Sequence, residues 1–389
     1  MRLIPIYTWT KGIRNFDHRR KQFSKQPWAQ GVLLLCCVVV AMLLANLPFT
    51  KEFYHNVLET DISLRFQSPG GESILFPNGM TIEKFINDIL MTVFFFTVGL
   101  EIRREMKNGE LSSVKKAMMP VIAAFGGVVA PALIFAAVNH GSAAASGWGI
   151  PTATDIAFAV GILSILGDRV PVSLKVFLTA LAIADDLIAI LVVALFYGGT
   201  INLGLLSIAF VLIAGVLLMN KLGEKRGWFY LVPAIAIWSL FYYAGIHSTM
   251  SGVVMAFLVP MTPRFSEAYF NVFHFDQALG SVSMGIFLGL VLGKPLGISL
   301  ASFIAVKLRF GEMPAKATWT MLIAVACLGG IGFTMSIFVD TLSFGDQTPE
   351  VMARLRDMGK VAVLMGSLFA GILGSVLINV VHAIQSRKS

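Results

Sequence analysis

The sequence predicts an all-α membrane protein, a polytopic helical bundle, from three observations. The 389 residues are 56% hydrophobic and only 13% charged, whereas soluble domains usually carry about 25% charged residues. Apolar stretches recur along the chain, and a stretch of about 20 residues is enough to cross a bilayer core of about 30 Å. The stretches are continuously apolar, whereas barrel strands would alternate. The net charge of +8 is assigned to loops facing the cytoplasm and not to a nucleic-acid surface.

The whole chain, 1–389, is predicted to form one integral membrane domain. Its basic segment 1–27 is expected in the cytoplasm, followed by a first span that is retained and not cleaved as a signal peptide. Residues 56–80 contain Ser-Pro-Gly-Gly and are predicted to form an external hairpin. The predicted spans are 28–47, 82–100, 117–138, 149–166, 172–197, 202–219, 228–243, 246–260, 279–305, 319–343 and 360–383.

The distribution of Lys and Arg predicts which loops face the cytoplasm. The loops 101–116 and 220–227 are basic, whereas 139–148 and 198–201 contain neither Lys nor Arg. Up to residue 260 the basic loops alternate with neutral ones, as the rule requires.

Beyond residue 260 this alternation breaks. Simple alternation places the basic loop 306–318 and the tail Arg387-Lys388 outside, against the rule. One more span between 260 and 279 would restore the rule at both places, but the connection there is too short and too polar to cross. We therefore expect that a span is missing.

Ionisable residues lie deep inside three predicted spans, where a charge costs about 2.5–3.5 kcal/mol. GIPTATDIAFAVGILSIL contains Asp155, and LAIADDLIAIL contains Asp185 and Asp186 side by side. Neighbouring helical residues point about 100° apart, so one of the pair can face an ion cavity while the other meets a different partner. Lys294 is the only basic residue predicted at comparable depth, which makes an Asp–Lys pair the economical arrangement.

Carboxylates in this setting are suited to exchanging a proton for a small hard cation. Burial and an adjacent carboxylate both disfavour the ionised form, which brings protonation toward neutral pH. Cation ligands would be these carboxylates, threonine hydroxyls and backbone carbonyls freed where a helix is interrupted. Charges that only lock helices together are a weaker explanation for three aspartates and a lysine at one depth. The residues expected to interrupt or support the broken helices are Pro151, Thr154, Gly329, Gly330, Gly332 and Thr334.

Five long motifs occur in order: INDILMTVFFFTVGLEIRRE, IPTATDIAFAVGIL, LTALAIADDLIAIL, LGKPLGISL and LGGIGFTMSIF. Over nearly the whole chain they resemble the NhaA family of bacterial sodium/proton antiporters. The resemblance implies inverted-topology repeats with two crossed broken helices, in the cell inner membrane. It also implies electrogenic exchange of internal Na⁺ or Li⁺ for external protons, with more protons than cations per cycle.

The resemblance implies roles for individual residues. Asp186 would be the principal carboxylate for Na⁺ and H⁺, with Asp185 either a second proton carrier or the partner of Lys294. Asp155 and Thr154 would lie where the broken helices cross. There Asp155 would offset the positive half-helix ends and Lys294 the negative ones. The Na⁺ held by Asp185 and Asp186 is transported cargo, and no cofactor is expected.

Further features of the family concern pH and assembly. Glu101, Arg104 and Glu105 match its pH-sensing cluster, and His247 matches a histidine linked to the pH response. The hairpin 56–80 resembles the family's dimer contact, which implies a homodimer in the lipid bilayer.

The chain departs from the family near residues 264–272. Relatives carry another hydrophobic segment there, opened by a Glu-His-rich motif that is absent here. The family comparison and the charge distribution therefore indicate the same missing span. Without it, 279–305 and 319–343 would insert in the opposite orientation, and part of the pH-sensing cluster would be lost.

Two alternatives to an active antiporter stay open: a sodium-coupled solute symporter of the same architecture, and an inactive, internally deleted antiporter. An intramembrane aspartyl protease is disfavoured, because its Tyr-Asp and Gly-x-Gly-Asp settings are absent and Lys294 would oppose a shared-proton dyad. We therefore do not expect an enzyme.

Overall fold

A computed structural model describes most of the chain beyond residue 36. The described ranges are 37, 40–45, 47–62, 65–68, 71–74, 80–199, 201–224, 226–260, 281–345 and 347–386. The predicted missing span at 264–272, the tail Arg387-Lys388 and most of the predicted first span 28–47 lie outside these ranges. Residues 40–45 of that first span are helical.

The described elements are mostly helices. In chain order they are α1 (Lys51–Glu59), β1 (Arg65–Ser68), β2 (Gly71–Ile74), α2 (Ile82–Phe85), α3 (Met91–Asn108), α4 (Val114–Val138), α5 (Ile156–Leu166), α6 (Val172–Phe196), α7 (Leu203–Lys221), α8 (Trp228–Ala244), α9 (Met250–Leu258), α10 (Ser281–Leu288), α11 (Lys294–Lys307), α12 (Trp319–Leu328), α13 (Phe333–Leu342) and α14 (Pro349–Ser386). Single π-helical turns, Ile86–Leu90 and Gly289–Gly293, lead into α3 and α11, and a 3-10 helix, Ala145–Thr152, precedes α5.

The helices are long and apolar enough to cross a membrane. Within the described ranges seven helical segments pass this test, or eight if α12 and α13 form one bent span. The predicted all-α polytopic fold is thus confirmed. The only sheet among the described residues is the antiparallel pair β1–β2, which lies inside the predicted hairpin 56–80 and pairs Arg65 with Ile74.

Two predicted boundaries differ from the structure. The last helix begins at Pro349 and not at residue 360, because the polar segment before Lys360 continues the helix although its hydropathy is too low to mark a span. Proline is well suited to a first helical position. The helix predicted within 246–260 is confined to Met250–Leu258, because the chain first makes turns around Gly245 and Thr249.

Two spans are broken near their middle. The first changes from the 3-10 helix to extended backbone at Ala153 and Asp155 before α5 begins. The second bends by 50° between α12 and α13, at residues 329–332. These interruptions expose backbone groups that would otherwise be bonded within a helix, which is tolerated at this depth only when protein groups replace the lost bonds.

Glycines hold α11 against α4. A methyl group on Gly297 would overlap the carbonyl oxygen of Gly126, and one on Gly293 would lie 2.7 Å from the Cα atom of Pro131. Small residues at such spacing let helix backbones approach closely in a membrane, where dispersion contacts drive helix association. This close crossing fixes the position of Lys294, the first residue of α11.

One end of the bundle carries the basic loops, and we call it the basic face. It includes the basic segments 101–116 and 220–224, and also loop 308–318, because Lys115 Nζ lies 3.1 Å from Glu312 Oε1. Gln385 near the end of α14 donates to Thr318 Oγ1 at 2.9 Å, which places that end here as well. The placement of 306–318 outside by simple alternation is therefore wrong, and the physical reason lies between α9 and α10.

Helices α9 and α10 meet the undescribed segment 261–280 at opposite ends of the bundle. The carbonyl oxygen of Val259 accepts a hydrogen bond from Arg103 at 2.5 Å, at the basic face. Gly285 of α10 instead packs against Asn139, which caps the far end of α4. The adjoining ends of these helices therefore lie on opposite faces, and the loop 308–318 between α11 and α12 lies at the basic face.

Candidate functional site

The two broken spans meet through their unwound segments. Thr154 Oγ1 donates to the carbonyl oxygen of Gly329 at 2.8 Å, and the backbone N–H of Asp155 donates to the carbonyl oxygen of Ile331 at 2.6 Å. Each interrupted segment thereby supplies partners that the other one lost. The crossing is a fixed, hydrogen-bonded structure in the middle of the bundle.

The Asp155 carboxylate caps the start of both helices that follow the breaks. Its Oδ1 accepts from the Phe158 N–H at 3.2 Å, at the start of α5. Its Oδ2 accepts from the N–H of Thr334 at 3.1 Å and from its hydroxyl at 2.6 Å, at the start of α13. A negative group at two helix N-termini offsets the positive ends of both dipoles.

Lys294 links the crossing to α6. Its Nζ donates to Oδ2 of Asp185, forming an ion pair between two fully buried side chains, and to Oγ1 of Thr154 at 2.9 Å. Of the two roles left open for Asp185, the structure shows the pairing with Lys294. The single π-helical turn just before Lys294 is a feature often found at functional sites.

Asp186 is not hydrogen-bonded to this ion pair in the described structure, although it interacts electrostatically with both of its members. Its side chain is only 2% exposed, and its Oδ1 atom has no hydrogen-bond partner among the described residues; the same holds for Oδ1 of Asp185. A buried carboxylate oxygen normally has a donor, a cation or a proton beside it. These two oxygens are therefore the atoms of the site with free capacity for Na⁺ or H⁺.

The glycines of the second break are required by packing. A methyl group on Gly330 would overlap the carbonyl oxygen of Leu290, and one on Gly329 would lie 2.7 Å from Ile298. Gly332 allows Ser336 to lie against the helix start. None of the three has a positive φ angle, so their role is close approach of α10 and α11 and not an unusual backbone conformation.

The residues predicted to sense pH lie in two places, with Glu101, Arg104 and Glu105 on α3 and His247 before α9. Glu105 Oε2 accepts from the N–H of Glu110 at 3.1 Å near the basic face, where Arg104 is exposed. Glu101 is close enough to interact electrostatically with Asp186. His247 lies elsewhere, before α9, with its ring centroid 6.4 Å from that of Phe338.

One buried carboxylate escaped the sequence analysis. Asp340 in α13 is fully buried, and neither of its carboxylate oxygens has a hydrogen-bond partner among the described residues. It lies near the end of the predicted span 319–343, whereas the sequence analysis considered only charges deep inside the spans. An acidic residue anywhere in an apolar stretch was the available signal.

Comparison with known proteins identifies the family. The profile of the family described as Na⁺/H⁺ antiporter 1 matches residues 21–279 and 268–378. This chain belongs to the Na⁺/H⁺ antiporter 1 family. Similar relatives include Na(+)/H(+) antiporter NhaA 2 of Flavobacterium johnsoniae, 42% identical over 94% of this chain and 93% of the relative. The Na(+)/H(+) antiporter NhaA proteins of Escherichia coli and Shigella sonnei are each 38% identical over 92% of this chain and 96% of the relative.

The family alignments also show a shortfall in this chain. The match to the Flavobacterium johnsoniae antiporter runs over 396 residues but includes 94% of 389, so about 30 residues of that relative have no counterpart here. The family profile matches in two pieces that meet at 268–279. This junction falls within the undescribed segment 261–280, between the ends of α9 and α10 on opposite faces.

Proposed function

We propose that this chain is an electrogenic Na⁺/H⁺ antiporter of the bacterial inner membrane that expels Na⁺ and Li⁺ from the cytoplasm in exchange for external protons. The observation that carries the proposal is the buried Asp186 carboxylate, with one oxygen unpartnered among the described residues, beside the Asp185–Lys294 pair at the crossing of two broken helices. Membership of the antiporter family supports it. By the positive-inside rule the basic face is cytoplasmic, as is the N-terminus.

Exchange follows from competition at one site. A proton or Na⁺ neutralises Asp186, and either loaded form can be exposed to the other side, whereas the empty, charged site is costly to move through the bundle. Each ion therefore biases the same equilibrium between two orientations. A fall in pH protonates Asp186 and weakens Na⁺ binding, so Na⁺ affinity rises as pH rises.

The ion pair provides a reason for electrogenic exchange. Na⁺ that recruits Asp185 as well as Asp186 separates Asp185 from Lys294 and leaves a buried ammonium group without its counter-ion. Such a group is strongly disfavoured and releases its proton. One Na⁺ then displaces two protons, one from Asp186 and one from Lys294, which agrees with the excess of protons expected from the family resemblance.

The remaining assignments rest on position. Glu101 supports a regulatory role because it interacts with Asp186 and belongs to the same helix as Glu105 at the cytoplasmic face. His247 is proposed as a second, separate element of pH regulation. The hairpin of β1 and β2 is proposed as the contact of a homodimer.

The shortfall of about 30 residues is close to the length of one membrane helix with its turns. We infer that this chain lacks one span present in its relatives, near residues 264–272. The described site does not depend on that span, because its residues come from α6, α11 and the two broken spans. The proposal is therefore that the ion site persists without it.

The proposed function is tested with everted membrane vesicles that contain acridine orange. Addition of Na⁺ or Li⁺ is expected to relieve the quenching in vesicles with the unmodified chain and not in vesicles with Asp186→Asn, which removes the charge but keeps the shape. The matched control is Asp168→Asn, on the loop before α6, which should exchange normally.

Three results would contradict the proposal. Exchange that survives in Asp186→Asn would exclude this carboxylate as the carrier. Na⁺-dependent uptake of an organic solute without proton exchange would favour the symporter. An unmodified chain that is present in the membrane, but neither exchanges ions nor binds Na⁺ after purification, would establish the inactive, deleted antiporter.

A further inference from the structure

Asp340 forms a second polar position in the bundle, separate from the ion site. It lies on α13, and its carboxylate packs against the Cα atom of Gly359 on α14, where a methyl group would overlap Oδ1. The side chain is fully buried, and within the described part of the chain neither Oδ1 nor Oδ2 has a hydrogen-bond partner. A carboxylate in such a setting must hold a proton, a cation or bridging water.

The surroundings favour a proton over a metal cation. Hard cations take six or more oxygen ligands. The unpartnered buried oxygens on this part of α13 are only those of Asp340 and Ser336. Among the described residues, no group of three or more His, Cys, Asp or Glu side chains could hold a metal ion.

The charged groups facing Asp340 come mainly from α14. Arg356, Asp357 and Lys360 act on it electrostatically, but none is hydrogen-bonded to it. Asp357 Oδ1 lies 3.8 Å from Lys360 Nζ, so Asp357 partly balances the positive charge of Lys360. From α6, the nearby titratable group is the Tyr197 hydroxyl, which donates to the carbonyl oxygen of Ser146 at 2.9 Å.

Ser336 lies on α13 between Asp340 and the break at residues 329–332. Gly332, Ser336 and Asp340 are four residues apart, so they follow one face of α13 at steps of about 6 Å. The Ser336 hydroxyl is also buried and unpartnered in the described structure. At the inner end of this row, Gly332 packs against the carbonyl oxygen of Ala153, two residues before Asp155. At the outer end, Phe344 packs on Gly147, at the face opposite to the basic face.

We propose that Asp340 is a proton-relay residue, which takes up a proton from the outer face and passes it along the Ser336 hydroxyl toward Asp155 and Asp186. The proton enters from external solution, binds a carboxylate oxygen of Asp340 and is released to the ion site, so Asp340 returns to its starting form in each cycle. This role rests on the proposed antiport, because it supplies the protons that displace Na⁺.

The kinetic test compares Asp340→Asn with the unmodified chain in everted vesicles, whose lumen corresponds to the outer face. The amide keeps the shape but cannot release a proton. The maximal exchange rate is expected to fall by about tenfold or more, as for loss of a positioned acid–base group. The apparent KM for Na⁺ and the melting temperature should be unchanged. Ser336→Ala should cause a smaller fall in rate.

Asp357→Asn is the matched control. It removes a carboxylate from the same charged group, but this side chain is partly exposed and outside the row on α13. Normal exchange in this variant, with slow exchange in Asp340→Asn, supports a relay. Normal exchange in Asp340→Asn overturns it. An equal fall in the exchange rate of Asp340→Asn and Asp357→Asn also overturns it. The same holds if Asp340→Asn loses rate together with stability and Arg356→Gln matches that loss, since this pattern indicates a water-bridged ion pair between Asp340 and Arg356.

An infrared measurement separates this proposal from the antiport itself. The purified chain should show the C=O stretching band of a protonated carboxylic acid. This band should shift in D₂O, change position in Asp340→Glu and disappear in Asp340→Asn. If the unmodified chain exchanges no ions, the proposed function fails, but this band still decides whether Asp340 holds a proton. If Asp340→Asn does not fold, Asp340→Glu and Ser336→Ala are used in its place. A C=O stretching band that does not shift in Asp340→Glu then overturns the proposal.

Discussion

Two adjacent aspartates at the centre of α6 serve different purposes because a helix turns about 100° per residue. Asp185 faces Lys294, and the pair is bonded further to Thr154 and so to the second broken span. Asp186 keeps an oxygen without a partner in the described structure. Asp185 is therefore tied into the crossing of the broken spans through one oxygen, while Asp186 has no bond to Lys294 in the described structure.

A double-mutant cycle tests this division. Lys294→Gln leaves Asp185 buried without its counter-ion and is expected to lower the free energy of unfolding by about 3–5 kcal/mol. Asp185→Asn should have a comparable effect, whereas the double variant should recover much of the loss because no lone charge remains. Thermal melting of the purified proteins measures all four. Additive losses in the double variant would show that the two side chains are not paired.

The sequence predicted which residues meet at the site but not how they pair. Asp155, Asp185, Asp186 and Lys294 were identified because charges in apolar stretches are rare and require partners. Whether Asp185 pairs with Lys294 or is left free as a second proton carrier depends on the rotation of α6 against α11, which periodicity does not reveal. Asp340 was missed because it lies near a span end, where acidic residues are ordinarily solvated.

At the scale of elements, glycines determine where the site residues lie. Gly297 of α11 and Gly293 just before it touch the backbone of α4, and Gly330 touches the backbone of the π-helical turn before α11. These contacts involve main-chain atoms, which cannot move aside as a flexible side chain would. The helix carrying Lys294 is therefore held in place by the absence of side chains along one edge.

Gly297→Ala tests this packing. The added methyl group would overlap the carbonyl oxygen of Gly126, so α11 and α4 must separate, and a cost of about 1–3 kcal/mol is expected. Exchange activity should fall because Lys294 moves with α11. Gly215→Ala in α7 is the control, since no atom lies within 4 Å of its new methyl group. Equal melting temperatures for the two variants would argue against a close α4–α11 crossing.

Element boundaries were predictable where they coincide with changes in polarity. The polar start of α14 was missed because a hydropathy window recognises only the part of a helix that is surrounded by lipid. The 3-10 segment before Asp155 was anticipated from Pro151 and the threonines as an interruption, but not in its conformation. The residues that follow it, Thr154 and Asp155, are bonded to the break between α12 and α13, which is distant in sequence.

At the scale of the molecule, charge distribution and contacts agree on orientation. The loop 308–318 lies beside the start of α4, although simple counting of predicted spans separates them. The discrepancy arises between α9 and α10, whose adjoining ends lie on opposite faces. The sequence could locate this problem through the positive-inside rule, but only the contacts of α11 and α14 show which way these helices point.

Cysteine labelling tests this orientation in a chain whose native cysteines are replaced. Glu110→Cys, in the loop between α3 and α4, and Glu312→Cys should both react with a membrane-impermeant maleimide from the cytoplasmic side. Ser142→Cys, beyond the other end of α4, should react from outside. Labelling of Glu312→Cys from outside would mean that α11 is inverted, and the Lys294–Asp185 pair could not then form as described.

The three hydrogen bonds that Asp155 accepts have a mechanical consequence. Because one carboxylate joins the start of α5 to the start of α13, neither helix can rotate without pulling the other. As long as these hydrogen bonds hold, any tilt of the broken spans that exposes Asp186 to one side of the membrane must move both spans together, as one rigid unit, against the rest of the bundle.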